Sequence, residues 1–261
     1  MPKQNNKLFI IGIGPGDLSL LTLAAQKALE EAEIILGYKT YLNQIEPYLQ
    51  GKEVRTSQMT QEVERAKEAL RLASRGRKVA LVSGGDPSIY GMSAPVFEVL
   101  AANRDDFSSV EIEIIPGVTA ACAAAARLGA PLSSDCAFIS LSDRLTPWKA
   151  IKKRVALAAE GDFVLVFYNP KSKRRQDQLY EALEIVKRHR SPETPLALVR
   201  AAFRQDESIL LTTLTEAEKV ASLADMASLV IVGNSQSQHA GDFFLTPRGY
   251  GQKYALNHEN P

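Results

Sequence analysis

The hydrophobic pattern of the chain alternates between short apolar runs and segments of helical period. In the first half, four runs have the length of buried strands: KLFIIGI from Lys7, EIILG from Glu33, KVALVSG from Lys78 and VEIEIIPG from Val110. Residues 60–74 instead repeat apolar side chains at helical spacing, which predicts a helix that ends before Gly76. Alternating strands and helices of this kind predict a parallel sheet covered by helices.

The second half contains five strand-like runs: AFISLS from Ala137, DFVLVFYN from Asp162, PLALVRAA from Pro195, SILLTTL from Ser208 and SLVIVGN from Ser228. The fourth follows the third after a short polar stretch, which predicts an antiparallel pair and a mixed sheet. Helices are predicted after Pro147 and Arg174. We therefore predict an α/β fold with a parallel-rich N-terminal lobe in residues 1–117, a mixed C-terminal lobe in residues 118–240, and a tail without regular elements in residues 241–261.

The composition of the chain argues against several classes of function and of binding site. The 261 residues include 31 basic and 30 acidic side chains, so the chain lacks the strong positive field typical of nucleic-acid-binding proteins. Two cysteines, Cys122 and Cys136, without a C-x-x-C pair, and three dispersed histidines argue against a zinc or iron–sulfur site. We expect no metal. No stretch reaches the roughly 18 apolar residues of a membrane span, and no signal-peptide layout is present, so we expect a cytoplasmic protein.

The run GIGPGDLSLLT, from Gly12 to Thr22, resembles a phosphate-binding loop at first sight. Dinucleotide-binding loops need a glycine where this chain has Asp17, whose charge would repel phosphate, and Pro15 removes one N–H donor. No Gly-Lys-Ser/Thr follows, and the best helix cap, Thr22, comes too late. The glycines therefore fit either a tight strand-to-helix turn or a bare backbone that receives a flat, uncharged or cationic ligand.

Two further loops share the character of the first, because each follows a predicted parallel strand. VSGGDPSIYGMSAP begins at Val82, and IPGVTAACAAAA begins at Ile115. Taken singly, the first of these is more simply a turn in which Asp86 caps the next helix, and the second a closely packed alanine-rich helix. All three loops lie at the carboxyl ends of strands, where open α/β sheets place ligands.

The motifs GIGPGDLSLLTL, VSGGDPSIYG and IPGVTA, in this order and spacing, resemble those of the tetrapyrrole methylases. These are the S-adenosylmethionine-dependent methyltransferases of sirohaem and cobalamin biosynthesis. The resemblance runs from about Lys7 to about Gln236. It implies two α/β lobes with a cleft between them for S-adenosylmethionine, a tetrapyrrole substrate and a homodimer.

Four stretches are similar to one branch of this family: GGDPSIYGMSAP, VFYNPKSKRR, VIVGNSQS and LTPRGY. That branch methylates ring carbon 17 and contracts the macrocycle to a precorrin-4-type product, and the substrate is either metal-free or contains cobalt. Phe203 departs from the branch, which usually has a smaller residue there. The main alternative is a methylase of the same family acting at a different ring carbon. Weaker alternatives are a protein or RNA methylase, a nucleotide-dependent oxidoreductase and a non-catalytic interaction protein.

The resemblance also implies site residues. The expected cofactor contacts are Pro15, Gly84, Gly85, Asp86, Ile89, Thr119, Ala120, Asn169 and Ala202. A polycarboxylate macrocycle needs several cations. The candidates for that role are Arg144, Lys171, Arg174, Arg204 and Arg248. Ring contraction needs a proton donor or acceptor, for which the unranked candidates are Asp17, Ser88, Tyr90 and Ser142.

Overall fold

The computed structural model describes residues 6–58 and 61–254 and divides into two compact units, Met1–Ala123 and Ala124–Pro261. The strands of the first unit are β1 (Lys7–Gly12), β2 (Ile34–Tyr38), β3 (Glu53–Ser57), β4 (Lys78–Ser83) and β5 (Glu111–Ile115). Its helices are α1 (Leu23–Glu31), α2 (Lys39–Gln44), α3 (Glu62–Ser74) and α4 (Ser93–Ala102), and α5 (Ala120–Leu128) follows in the chain.

The second unit contains β6 (Gly129–Ala130), β7 (Cys136–Ser140), β8 (Val164–Tyr168), β9 (Pro195–Arg200), β10 (Ser208–Thr213), β11 (Ser228–Val232), β12 (Gln238–Ala240) and β13 (Phe243–Leu245). Its helices are α6 (Trp148–Glu160), α7 (Gln178–Val186), α8 (Ala217–Leu223) and α9 (Tyr250–Lys253). No helix among the described residues of either unit combines the length and apolarity that crossing a membrane requires.

The sheet of the first unit has the order β3-β2-β4-β1-β5, and all its pairings are parallel, as predicted. Alternate strand residues face opposite sides: Ile11 packs with residues of α1, whereas Ile10 packs with residues of α3 and α4. The neighbouring strands β1 and β4 are therefore followed by helices on opposite faces. Such a change of direction opens a crevice at the carboxyl ends of the two strands.

The main sheet of the second unit has the order β10-β9-β11-β8-β7. The predicted antiparallel pair of β9 and β10 is confirmed, with Ser208 opposite Arg200, and β7 pairs with β8 in parallel. The sheet is therefore mixed. Its core packs strand residues such as Phe167 and Leu198 against α6, α7 and α8.

The prediction that residues 241–261 lack regular elements is wrong, because β13 and α9 lie within them. β12 pairs with β13, and β13 pairs with β6 to form a third sheet whose central residue, Phe244, is fully buried. Residues 255–261 of the predicted tail lie outside the described residues. Strands of two or three residues are too short to show an alternating pattern in the sequence, so sequence reasoning missed this sheet.

Candidate active site

Three loops follow neighbouring strands of the first unit: the first loop (residues 13–22) after β1, the second loop (residues 84–92) after β4 and the third loop (residues 116–119) after β5. The first two are joined through their backbones. The Gly14 N–H donates to the Gly85 carbonyl at 3.1 Å, and the Gly85 N–H donates back at 2.8 Å. Both glycines have positive φ, +73° and +66°, which residues other than glycine rarely adopt.

Two other glycines allow the three loops to approach one another. A Cβ on Gly12 would lie 2.6 Å from the Gly117 nitrogen and 2.7 Å from the Gly85 oxygen. A Cβ on Gly117 would lie 2.7 Å from the Gly12 carbonyl carbon. Because real Cβ atoms do not approach other atoms this closely, Gly12 and Gly117 are required by the packing of loop against loop. Gly84 instead packs against a helix, since its Cβ would meet the ring of Tyr41 in α2.

Asp86 ties the second loop to the third. Its Oδ1 accepts the Ser88 N–H at 2.8 Å, and its Oδ2 accepts the Gly117 N–H at 3.1 Å. The interpretation of Asp86 as a cap of the next helix is wrong, because α4 begins at Ser93 and its N-cap, Met92, makes no side-chain capping bond. A carboxylate has about four lone-pair sites, so two N–H donors leave capacity for a cationic ligand.

Replacing Asp86 by alanine is expected to lower the free energy of unfolding by about 1–2 kcal/mol, since two backbone N–H groups lose their acceptor. The free energy of unfolding from urea titration measures this change. Substitution of Asp106, an exposed aspartate between α4 and β5, provides the control and is expected to change stability by less than about 0.5 kcal/mol. Equal effects of the two substitutions would contradict the role of Asp86 as a tie.

The remaining predicted residues of the first unit occupy the same three loops or the residue after them. Thr22 is confirmed as the cap of α1, because its Oγ accepts the Ala25 N–H at 3.1 Å. Asp17 is exposed and accepts the Ser19 N–H at 2.8 Å, which caps a short 3-10 turn. Pro15 is buried, whereas Thr119 and Ala120 are half-buried at the start of α5.

Tyr90 is the conformationally strained residue of the second loop. Its φ is +53°, which is uncommon for a bulky side chain, and 53% of its surface is exposed. Ser88 is also exposed, and Ile89 is half-buried. Strained residues persist where the surrounding structure holds them, and they cluster at functional sites.

In the second unit, the structure brings two predicted residues together through one that was not predicted, Ser140. The Asn169 side-chain amide donates to the Ser140 Oγ at 3.0 Å, and the Ser142 N–H donates to the same oxygen at 3.3 Å. Asn169 directly follows β8 and has a φ of +52°. Asparagine is among the residues that tolerate this left-handed conformation.

A second strained segment follows β9 and contains the predicted residues Ala202 and Arg204. Phe203 has a φ of +61°, and its N–H donates to the Glu207 carboxylate at 2.5 Å. The Arg127 guanidinium lies 3.8 Å above the Phe203 ring and donates to Glu207 at 2.9 Å. The large side chain at this position therefore provides the platform for a cation–π contact.

Replacing Ala201 by glycine is expected to leave the free energy of unfolding within about 0.5 kcal/mol of the wild type. Ala201 has a φ of +49°, and the relief of this left-handed conformation offsets both the entropy cost of glycine and the loss of a buried methyl group. Ala126→Gly, in the exposed face of α5, is the matched control and should lower stability by about 1 kcal/mol. Chemical denaturation of both variants measures this difference, and a loss of about 1 kcal/mol or more in Ala201→Gly would refute the explanation.

The predicted substrate cations have different environments. Lys171 donates to the carbonyls of Ala221 and Ser222, at 3.1 and 3.2 Å, near the end of α8. The exposed cations are Arg144, Arg174 and Arg248, and Arg204 is half-buried. Arg175, which was not predicted, is buried instead. Burial lowers the pKa of its guanidinium, Asp143 opposes this shift and Arg144 adds to it.

The sequence profile of the Tetrapyrrole (Corrin/Porphyrin) Methylases matches residues 7–218. The chain belongs to this family. Among curated tetrapyrrole methylases, it is 44% identical over 243 residues to a probable cobalt-factor III C(17)-methyltransferase of Salmonella typhimurium, covering 93% of this chain and 99% of that protein. It is 41% identical over 249 residues to a precorrin-3B C(17)-methyltransferase of Sinorhizobium sp, covering 93% of this chain and 96% of that protein.

A longer tetrapyrrole methylase, the cobalt-factor III methyltransferase of Priestia megaterium, is 44% identical over 255 residues, which are 97% of this chain. The chain spans about half the length of the first curated relatives it matches, 47% of that protein in this case. The crystal structure of the methyltransferase CobJ has a TM-score of 0.87 at 38% identity, covering 92% of this chain and 99% of CobJ. A uroporphyrin-III C-methyltransferase from Thermus thermophilus, solved with S-adenosylhomocysteine, has a TM-score of 0.65 at 25% identity, with 87% and 97% coverage.

Proposed function

We propose that this tetrapyrrole methylase transfers a methyl group from S-adenosylmethionine to ring carbon 17 of cobalt-factor III or precorrin-3B. The reaction contracts the macrocycle and gives a precorrin-4-type product of cobalamin biosynthesis. The support is the similarity to relatives named for C(17) methylation of these two substrates. The alternative is a methylase of the same family that acts at a different ring carbon.

The observation that carries the cofactor assignment is the charge of the three loops. Residues 13–22, 84–92 and 116–119 contain two carboxylates, Asp17 and Asp86, and no lysine or arginine. A crevice of this kind fits a cationic sulfonium and ammonium and does not fit a nucleotide phosphate. When bound, S-adenosylmethionine supplies the activated methyl group, and the protein supplies position and a dry environment.

The chain contributes fixed polar groups to this site. The lone pairs of Asp86 that are not used by Ser88 and Gly117 would accept a ligand ammonium. Thr119 and Ala120 would place small side chains and backbone at the first turn of α5, together with Pro15, Gly84, Gly85 and Ile89 from the other loops. The cofactor contacts proposed in the second unit are the Asn169 amide oxygen, oriented by Ser140, and the backbone of Ala202.

Substrate carboxylates would bind the cations with accessible donors. The proposed set comprises Arg144, Arg174, Arg204 and Arg248, together with Lys171, whose ammonium has a third donor besides the two that bind carbonyls of α8. For the proton of ring contraction we place Tyr90 first among Asp17, Ser88, Tyr90 and Ser142. Tyr90 is an exposed residue held on a backbone whose conformation costs free energy, as functional residues often are.

The homodimeric state and a cytoplasmic location belong to this proposal on the strength of the family resemblance. Sedimentation equilibrium of the purified protein tests the first, and a mass equal to one chain would contradict it. Cell fractionation tests the second.

Calorimetry with S-adenosylhomocysteine is the first test of the proposed function, with NADP⁺ and ATP as controls. We expect binding of S-adenosylhomocysteine alone, because phosphates meet the carboxylates of the first two loops. Absence of S-adenosylhomocysteine binding, or equal binding of NADP⁺, would refute the methyltransferase assignment.

Incubation with each tetrapyrrole and isotopically labelled S-adenosylmethionine tests the substrate and position. We expect a gain of one methyl group on cobalt-factor III or precorrin-3B, and the NMR spectrum of the product should place the label at carbon 17. A label at another ring carbon would favour the alternative methylase.

Replacing Tyr90 by phenylalanine should leave cofactor binding unchanged but slow the ring-contraction step.

A further inference from the structure

The cluster KSKRR, residues 171–175, contains one buried cation. Only 7% of the Arg175 side chain is exposed, whereas Lys173 and Arg174 are exposed. A buried guanidinium is costly unless its donors are paired, so the contacts of Arg175 indicate what it holds in place.

Arg175 joins the ends of two neighbouring parallel strands. Its Nη1 donates to the Leu141 carbonyl at 3.1 Å and to the Asn169 carbonyl at 2.8 Å. Leu141 directly follows β7, and Asn169 directly follows β8. A single guanidinium therefore fixes the carboxyl ends of both strands, where α/β folds place their ligand-binding groups.

The other side of the guanidinium is held as well. Its Nε lies 3.8 Å from the Asp143 carboxylate, which accepts a hydrogen bond from Gln178 at 3.0 Å. Its Nη2 contacts the Met226 sulfur at 3.7 Å. The planar fork of arginine can satisfy two carbonyls and a carboxylate together, whereas the single ammonium of lysine cannot match that geometry.

The Asn169 backbone is the strained end of this arrangement, with a φ of +52°. Arg175 holds its carbonyl, and Ser140 holds its side-chain amide together with the Ser142 backbone. We propose that Arg175 is a positioning residue. It keeps Asn169 in the conformation that binds the cofactor, and it holds the neighbouring segment around Ser142 in place. This inference rests on the proposed function.

The test compares Arg175→Met, which is similar in length and uncharged, with Arg175→Lys in the full-length protein. Calorimetry gives the Kd for S-adenosylhomocysteine, and steady-state kinetics give KM for S-adenosylmethionine and kcat. We expect Arg175→Met to weaken S-adenosylhomocysteine binding roughly tenfold or more, since small displacements of positioning groups have effects of this size. KM should rise more than kcat falls, and Arg175→Lys should restore part of the affinity.

Two controls separate positioning from stability and from charge. Val155→Ala opens a cavity in the core of the same unit and lowers the thermal midpoint, but it removes none of the groups that Arg175 contacts. Arg154→Met removes an exposed cation of α6. Both should bind S-adenosylhomocysteine as the wild type does. Asn169→Ala completes a double-mutant cycle with Arg175→Met. The double variant should bind S-adenosylhomocysteine no more weakly than the single variant that binds it less tightly.

Wild-type affinity in Arg175→Met, an equal loss of affinity in Val155→Ala at a matched thermal midpoint, or multiplying losses in the double variant would each overturn the positioning role. A wild-type protein that binds no S-adenosylhomocysteine would overturn the proposed function and this inference with it. The two failures are thus distinguished by the wild-type titration alone.

Discussion

Replacement of Gly117 by alanine is expected to lower the free energy of unfolding by about 3 kcal/mol and to abolish tight S-adenosylhomocysteine binding. The added Cβ would lie 2.7 Å from the Gly12 carbonyl carbon and against the Gly85 oxygen. Both neighbours are backbone atoms, which cannot rotate away as a side chain can. The loops must therefore separate, and the bond between Asp86 and the Gly117 N–H must lengthen or break. Urea denaturation and calorimetry measure the two effects.

Gly51→Ala is the matched control. Gly51 has a φ of +72° with no heavy atom within 4 Å of an added Cβ, so alanine there carries only the cost of the left-handed conformation, about 1–2 kcal/mol. Its S-adenosylhomocysteine affinity should be unchanged. A Gly117→Ala variant that is no less stable than Gly51→Ala and binds normally would show that the close approach of the loops is dispensable.

Arg190→Met is expected to destabilise the protein by about 3 kcal/mol, because several backbone carbonyls lose a charged hydrogen-bond donor. Only 2% of the Arg190 side chain is exposed. Its guanidinium donates to the carbonyls of Ala159 and Phe163 and to those of His189 and Gly233, and it pairs with Asp162 at 3.3 Å. Methionine would fill the volume but donate no hydrogen bond, so these carbonyls lose the guanidinium and Ala159 keeps only the bond from the Asp162 N–H.

Arg188→Met, two residues earlier and exposed, should change the free energy of unfolding by less than about 0.5 kcal/mol. Urea titration gives the free energy of unfolding of both variants. Because both lose one positive charge, the difference between them reports the effect of the buried contacts. Arg190→Lys should fall between them, because an ammonium retains the charge and fewer donors. If Arg190→Met is as stable as Arg188→Met, the carbonyls around Arg190 have other donors and the explanation is wrong.

The strands of both main sheets could be predicted where they are buried, because their residues form unbroken apolar runs. β3 was not predicted because it has no apolar run: EVRTS is an edge strand with a single large apolar residue. The sheet of β6, β12 and β13 was missed because each strand is too short to show periodicity.

The position of the candidate loops could be predicted from strand ends, but the partners of individual side chains could not. The sequence predicts that Asp86 caps a helix, whereas its oxygens accept N–H groups of two different loops, one of them 31 residues away in the chain. The cluster KSKRR similarly looks uniform in the sequence. The structure distinguishes Lys171, which binds carbonyls of α8, from the buried Arg175, because only tertiary packing decides which cation turns inward.

The joining of the three loops through backbone atoms and glycines has a consequence for how new specificities can arise. The packing of loop against loop depends on Gly12, Gly85 and Gly117, whereas Ser88 is exposed and joins the second loop through its backbone N–H, and Ile89 is half-buried. Randomising those two positions, with the glycines kept constant, should therefore yield mostly folded proteins. Such a library is a starting point for selecting altered regioselectivity, because these two side chains can change while the glycines that hold the loops together stay the same.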